Sequence, residues 1–182
     1  ALVRVQKQLM EAKERTSDLV DATYRGAYDA MLTLGKIPDV NSPVKTKTTA
    51  KAEVALWHLT DWQGSKKTTT YNSDVMRERV MNFVTKAERI TDIQRKDHPV
   101  KECVILFGGD MVEGLFNYPA QLHQIDMSLF GQFTTVTRLI TDVVRSALAI
   151  YEKVTVVAEW GNHGRIGSKR ADVPKEDNID RM

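Results

Sequence analysis

The chain has 182 residues, 42% of them apolar and 27% charged, with a formal net charge of +2. That is enough chain for one packed core of ordinary globular composition, and so balanced a charge argues neither for nor against a nucleic-acid partner. The single cysteine, Cys103, excludes an intrachain disulfide and fits a reducing, cytoplasmic compartment; no apolar run approaches the roughly 20 residues of a membrane span, and no secretory signal opens the chain.

Residues 1–36 read as an amphipathic helix, with Leu2, Val5, Leu9, Ala12, Leu19, Tyr24, Ala27, Met31 and Leu34 forming an imperfect apolar stripe and Gly35 and Pro38 stopping it. Sustained heptads are absent, so an ordinary helix is favoured over a coiled coil. Its stripe packs either on the domain or on a partner, a second copy of the chain included. Residues 37–51, with Pro38, Asn41, Ser42, Pro43 and a Lys/Thr run, read as a linker or exposed loop.

The pattern changes over residues 52–182, which form the main domain. A strand is predicted over 52–60 and a helix over 74–96, capped by Asn72 or Ser73, with Val75, Val80, Phe83, Val84, Ala87 and Ile90 inward. The continuous apolar run Cys103–Phe107 predicts a strand covered on both faces. A second helix over 124–150 follows, through Ile125, Leu129, Phe133, Val136, Ile140, Val144, Ala147 and Ile150, then a strand over 154–158. The order β-α-β-α-β implies an α/β fold with a parallel sheet and right-handed crossovers.

Three short motifs follow the three strands: Thr60-Asp61-Trp62-Gln63-Gly64, Gly108-Gly109-Asp110-Met111-Val112-Glu113 and Gly161-Asn162-His163-Gly164. Ligands of open α/β sheets bind outside the carboxyl ends of the strands, so all three clusters are expected on one rim. Carboxylates, amide oxygens and imidazole together suit hard or borderline divalent ions. Each motif alone is weak; order, spacing and placement carry the signal.

In these motifs the sequence over about 52–165 resembles the calcineurin-like metallophosphoesterases, whose signature runs Asp-x-His, Gly-Asp, Gly-Asn-His. It also resembles, more loosely, phage-encoded members described as DNA repair exonucleases. The resemblance implies a metallophosphoesterase-like β-sandwich flanked by helices. It implies two divalent ions, Mn2+ first, with Mg2+, Fe2+ or Zn2+ as alternatives. Asp61 and Gln63 would bind the first, Asp110 would bridge both, and Asn162 would bind the second. His163 would touch the phosphate and help protonate the leaving oxygen, with Arg165 pairing to a phosphate oxygen. The implied activity is phosphodiester hydrolysis on nucleic acid by metal-activated water, in the host cytoplasm if the protein is phage-encoded. The alternatives are a phosphomonoesterase and a non-catalytic scaffold that binds a partner through the N-terminal helix.

Gln63 departs from the family's histidine, no histidine follows His163, and Gly164 and Arg165 stand where the family often has an acid. These departures, with a chain that opens on Ala1 and stops soon after the third motif, imply a domain incomplete at its C-terminus. Among the other residues, Glu113 is expected to orient a loop or a water rather than bind metal, and His123 to lie on the rim within reach of substrate. Trp62 either stacks on a base or packs in the core. His58 is expected as a hydrogen-bonded core histidine and His98 at the surface. Lys66, Lys67, Lys169 and Arg170 flank the motif loops, as solvated charge or as a track for a nucleic-acid backbone.

Overall fold

The computed structural model describes residues 2–33, 35–43, 51–115, 117–166 and 175–182. Chain order is α1 (Leu2–Thr33), β1 (Glu53–Leu59), α2 (Ser73–Gln94), β2 (Val100–Phe107), α3 (Leu129–Ile150) and β3 (Lys153–Ala158), with short 3-10 turns at Gln121–His123 and Ile179–Arg181. The three strands form one parallel sheet in the order β1-β2-β3. The α/β class and the βαβαβ order follow the sequence reading.

Local chemistry sets the element ends. Asn72 caps α2 by accepting the Val75 N–H at 2.9 Å, and Ser128 caps α3 by accepting the Gly131 N–H at 3.1 Å. The third helix therefore starts at Leu129, five residues after the expected position, and Ile125 instead bridges Lys66 of the loop after β1. The stop after α1 falls at Gly35, whose φ of +68° is the left-handed turn that glycine adopts without steric penalty.

The core lies between the helices and one face of the sheet. Register places Trp57 opposite Ile105 and Leu59 opposite Phe107. Onto these pack Met76, Val80 and Val84 of α2, with Phe133, Val136, Leu139 and Val143 of α3. Trp57 meets Phe83 and Tyr151 edge-on, at 5.8 Å between centroids in both cases.

Four expectations are corrected. β2 is not covered on both faces: its buried and half-buried residues alternate, and on the side away from the helices Val54 and Leu56 are exposed beside half-buried Val104 and Leu106. His58 shares that uncovered face and is exposed rather than buried in the core. Ile90 of α2 is 58% exposed, because the buried stripe runs through Met76, Val80, Val84 and Thr91, one residue further round the helix. His98, expected at the surface, is half-buried.

The stripe of α1 is largely unburied at its described side chains, with Val5, Leu19, Tyr24 and Met31 all exposed. The helix touches the domain instead through Val20, packed on the core, and Gly26, which abuts the Phe130 ring. Leu34 and most of the Lys/Thr run lie outside the described residues. No described helix is long and apolar enough to cross a membrane.

Candidate metal centre

Beyond the last rung of the sheet, the loops after β1 and β2 stay zipped together. Gly108 N–H donates to Leu59 O, Asp61 N–H to Gly109 O, Gln63 N–H to Asp110 O and Gly64 N–H to Met111 O, at 2.8–3.1 Å. Reaching those partners forces left-handed backbone on side-chain-bearing residues: φ is +55° at Asp61, +45° at Gln63 and +54° at Asp110. Such conformations disfavour residues with a Cβ, and strain of this kind concentrates at functional sites.

The loop after β3 packs on the other side of Asp110. Gly109 and Gly161 meet backbone to backbone, so a side chain at either would collide, on Gly161 with the Asp110 carboxylate itself. Asp110 Oδ1 accepts the His163 N–H at 2.7 Å. The three motifs thus share one rim, with Asp110 in the middle, touching both neighbours.

His163 is held from below by Glu113, whose Oε2 lies 3.2 Å from His163 Nδ1 and 3.8 Å from Lys66 Nζ. Glu113 is 3% exposed, and burial pushes its carboxyl above the usual range, against the pull of His163 and Lys66. The loop that carries Glu113 is fixed by two buried glutamines. Gln132 accepts the Gly114 N–H at 2.8 Å, and Gln121 donates to the Glu113 carbonyl at 2.7 Å. Tyr118, from the same loop, receives the Asn162 amide at 3.1 Å, and its ring lies 5.3 Å from that of His163.

The remaining expected residues divide. Gln63 sits on the rim, but its Oε1 accepts from Lys66 Nζ at 2.7 Å. Trp62 is buried, edge-on to Phe107, and packs the core rather than facing a base. His123 is exposed on its 3-10 turn. Arg165 is half-buried, and its Nε is buried without a hydrogen-bond acceptor. Lys169 and Arg170 lie outside the described residues. A cleft of about 560 Å³ opens beside Asp61, lined by His58, Thr60, Gln63, Tyr71 and Arg79, with the Arg79 guanidinium 5.4 Å over the Tyr71 ring.

Sequence reasoning missed the tail. Asp180 and Asn178 reach into the rim from the 3-10 turn at the end of the chain. Burial raises the Asp180 carboxyl above its usual range although backbone N–H groups of Gly161, Val112 and Asp110 pull it down. An isolated Asn-x-Asp carries no strand, glycine or spacing signal; only its return to the rim reveals it.

Among the described residues, no three His, Cys, Asp or Glu side chains are grouped to hold a metal ion. The donors that do share the rim, Asp61, Asp110 and Asn162, are oxygen ligands of the kind that fit Mg2+ or Mn2+ rather than a thiolate- or imidazole-rich zinc site. Beneath them lies the buried carboxyl of Glu113, faced by Lys66 and His163. A scan against models of protein families finds no match, and a search among curated proteins finds none either.

Proposed function

We propose that this protein is a metal-dependent phosphoesterase of the calcineurin-like type, acting on phosphodiesters of nucleic acid. The observation that carries the reading is the contact of Asp110 with both flanking motifs on one rim, with His163 locked between its carboxylate and the buried Glu113. The fold reading goes with it. A metallophosphoesterase-like β-sandwich would lay a second sheet on the uncovered face of Val54 and Leu56.

Asp61, Asp110 and Asn162 would hold the cations, with Gln63 joining only by giving up Lys66. Bound divalent ions supply a hydroxide at neutral pH and withdraw charge from phosphoryl oxygens. The chain's own part lies in His163. As the acid, His163 would carry a proton on each ring nitrogen, keeping Nδ1–H directed at Glu113 and passing the Nε2 proton to the leaving oxygen. Arg165, whose buried Nε has no acceptor, would turn its guanidinium to a phosphate oxygen. Arg79 and Tyr71 line the cleft beside Asp61, where an adjoining nucleotide would lie, in the cytoplasm of the cell or host.

The test is Mn2+-stimulated hydrolysis of bis-p-nitrophenyl phosphate by wild type, Asp110→Asn and His163→Ala. Loss of a general acid typically lowers the rate about 10²–10⁴-fold. Equal rates in all three proteins rule the reading out. Rates on p-nitrophenyl phosphate, single-stranded DNA, duplex DNA and RNA then separate a nuclease from a phosphomonoesterase. One observation favours a second reading, a non-catalytic scaffold that docks a partner along α1: the Gln63 carbonyl is already engaged by Lys66. Mn2+ stoichiometry discriminates, since a scaffold takes up none.

A further inference from the structure

The carboxylate of Asp180 is the junction between the two loops that flank the proposed cation site. Its Oδ2 accepts the Asp110 N–H at 2.8 Å and the Gly161 N–H at 3.0 Å, while Oδ1 accepts the Val112 N–H at 3.4 Å. One oxygen thus bridges the β2 and β3 loops, directly behind the carboxylate-bearing residue at the centre of the rim. Asn178 completes the grip: its Nδ2 donates to the Gly161 carbonyl at 2.8 Å and its Oδ1 accepts the Asp180 N–H at 2.9 Å. The Gly161 peptide groups are therefore held at both N–H and C=O by the same tail. That tail is itself pinned, by Ile166 N–H to Asp177 O and Ile179 N–H to Gly164 O, both 2.8 Å, and by Ile179 buried in the core.

Among the described residues, backbone amides alone satisfy this carboxylate. No Lys, Arg or His among the described residues forms an ion pair with Asp180. A desolvated carboxylate without a counter-cation is unfavourable unless positive charge arrives nearby. Bound cations in front of Asp110 would provide it.

We propose that Asp180 is the positioning residue of the metal centre, clamping the Asp110 loop to the Asn162-His163 loop and adding a negative charge behind them that strengthens cation binding. This rests on the metal-dependent reading above. Asp180 acts through the backbone of the ligand loops and touches no substrate. Outer partners of metal ligands typically change affinity by about 10–100-fold when removed.

The experiment titrates Mn2+ into full-length wild type and Asp180→Asn by electron paramagnetic resonance, with Tm measured beside it in EDTA. The amide of asparagine keeps the volume but loses the charge and one acceptor. The expected result is an Mn2+ affinity about 10–100-fold weaker with a nearly unchanged metal-free Tm. Wild type and variant binding Mn2+ equally well overturns the proposal and leaves the metal-dependent reading standing. Wild type binding no Mn2+ overturns both. If Asp180→Asn does not fold, amide hydrogen exchange in metal-free wild type decides. Protected Asp110 and Gly161 amides support the clamp, and exchange at the rate of free loop amides refutes it.

Discussion

The base of the sheet and its rim are built on opposite principles. Around Ile105, Leu139 and Val143, all at 0% exposure, the interior is apolar. At the rim the pattern inverts. Of the buried polar residues, Ser65, Glu113, Gln121, Gln132 and Asn178 surround the motif loops, and Thr91, bonded to Tyr151, lies at the far end. Every described non-glycine residue with positive φ, namely Asp61, Gln63, Ser65 and Asp110, also lies in the first two loops. Stability is supplied by the apolar base, and strain and buried polar groups gather where the three motif loops meet.

If that division is real, damage to the base should lower stability without altering the rim. Ile105→Ala removes a fully buried side chain between Trp57 and Val156 on the neighbouring strands, and should lower unfolding free energy by about 2–5 kcal/mol in urea. The Mn2+ affinity of the molecules that remain folded should stay at the wild-type value. A weakened affinity at a temperature where the variant is folded would show that base and rim are one cooperative unit.

Glu113→Gln probes the converse. It unhooks His163 from its carboxylate, so phosphodiester hydrolysis should fall about 10–100-fold, while stability at neutral pH should not fall. A Tm loss comparable to that of Ile105→Ala would make Glu113 a packing residue and blur the division.

The same residue sets a pH signature. Burial raises the folded-state pKa of Glu113 above its ordinary 4.5, with Lys66 and His163 facing it and pulling the other way. The folded state then binds this proton more tightly than the unfolded chain, so ν_N exceeds ν_U and stability falls as pH rises through the raised value. The contribution is fully present below the ordinary carboxyl range and lost above the folded pKa. Metal-free Tm should decline from pH 4.5 upward more steeply in wild type than in Glu113→Gln. Equal slopes would mean that the charge is compensated.

The base was the more legible half of the molecule because its signals are local. The Asn72 cap, the apolar run Cys103–Phe107 and the stripe through Phe133, Val136 and Ala147 each act over a few residues, and the elements formed within a few positions of expectation. What sequence could not give was which layer would cover each face. An apolar β2 reads alike whether one side or two is packed, and His58 was misplaced for that reason; Ile90 falls one residue outside the buried stripe of α2. At the rim, glycine and aspartate after each strand marked the three loops, since close backbone approach requires them. The supports did not show: Gln121, Gln132, Asn178 and Asp180 act across 8 to 70 residues of sequence.

The smallest expected effect bears on strain itself. Gln63 is half-buried at φ +45°, where a residue with a Cβ is disfavoured and asparagine or aspartate would at least be tolerated. Glycine removes the clash but frees the unfolded chain and gives up the hydrogen bond from Lys66. Left-handed backbone disfavours a side-chain-bearing residue by roughly 1–2 kcal/mol, against about 0.4–1 kcal/mol for added chain entropy and a modest sum for a partly exposed bond. Gln63→Gly should therefore leave urea stability unchanged or raise it by about 0.5 kcal/mol, a gain no substitution at the base is expected to give. A clear loss would mean that the Lys66–Gln63 contact outweighs the strain. Gln63 would then be a structural strut whose carbonyl is not free for a cation, and the first metal position would rest on Asp61 and Asp110 alone.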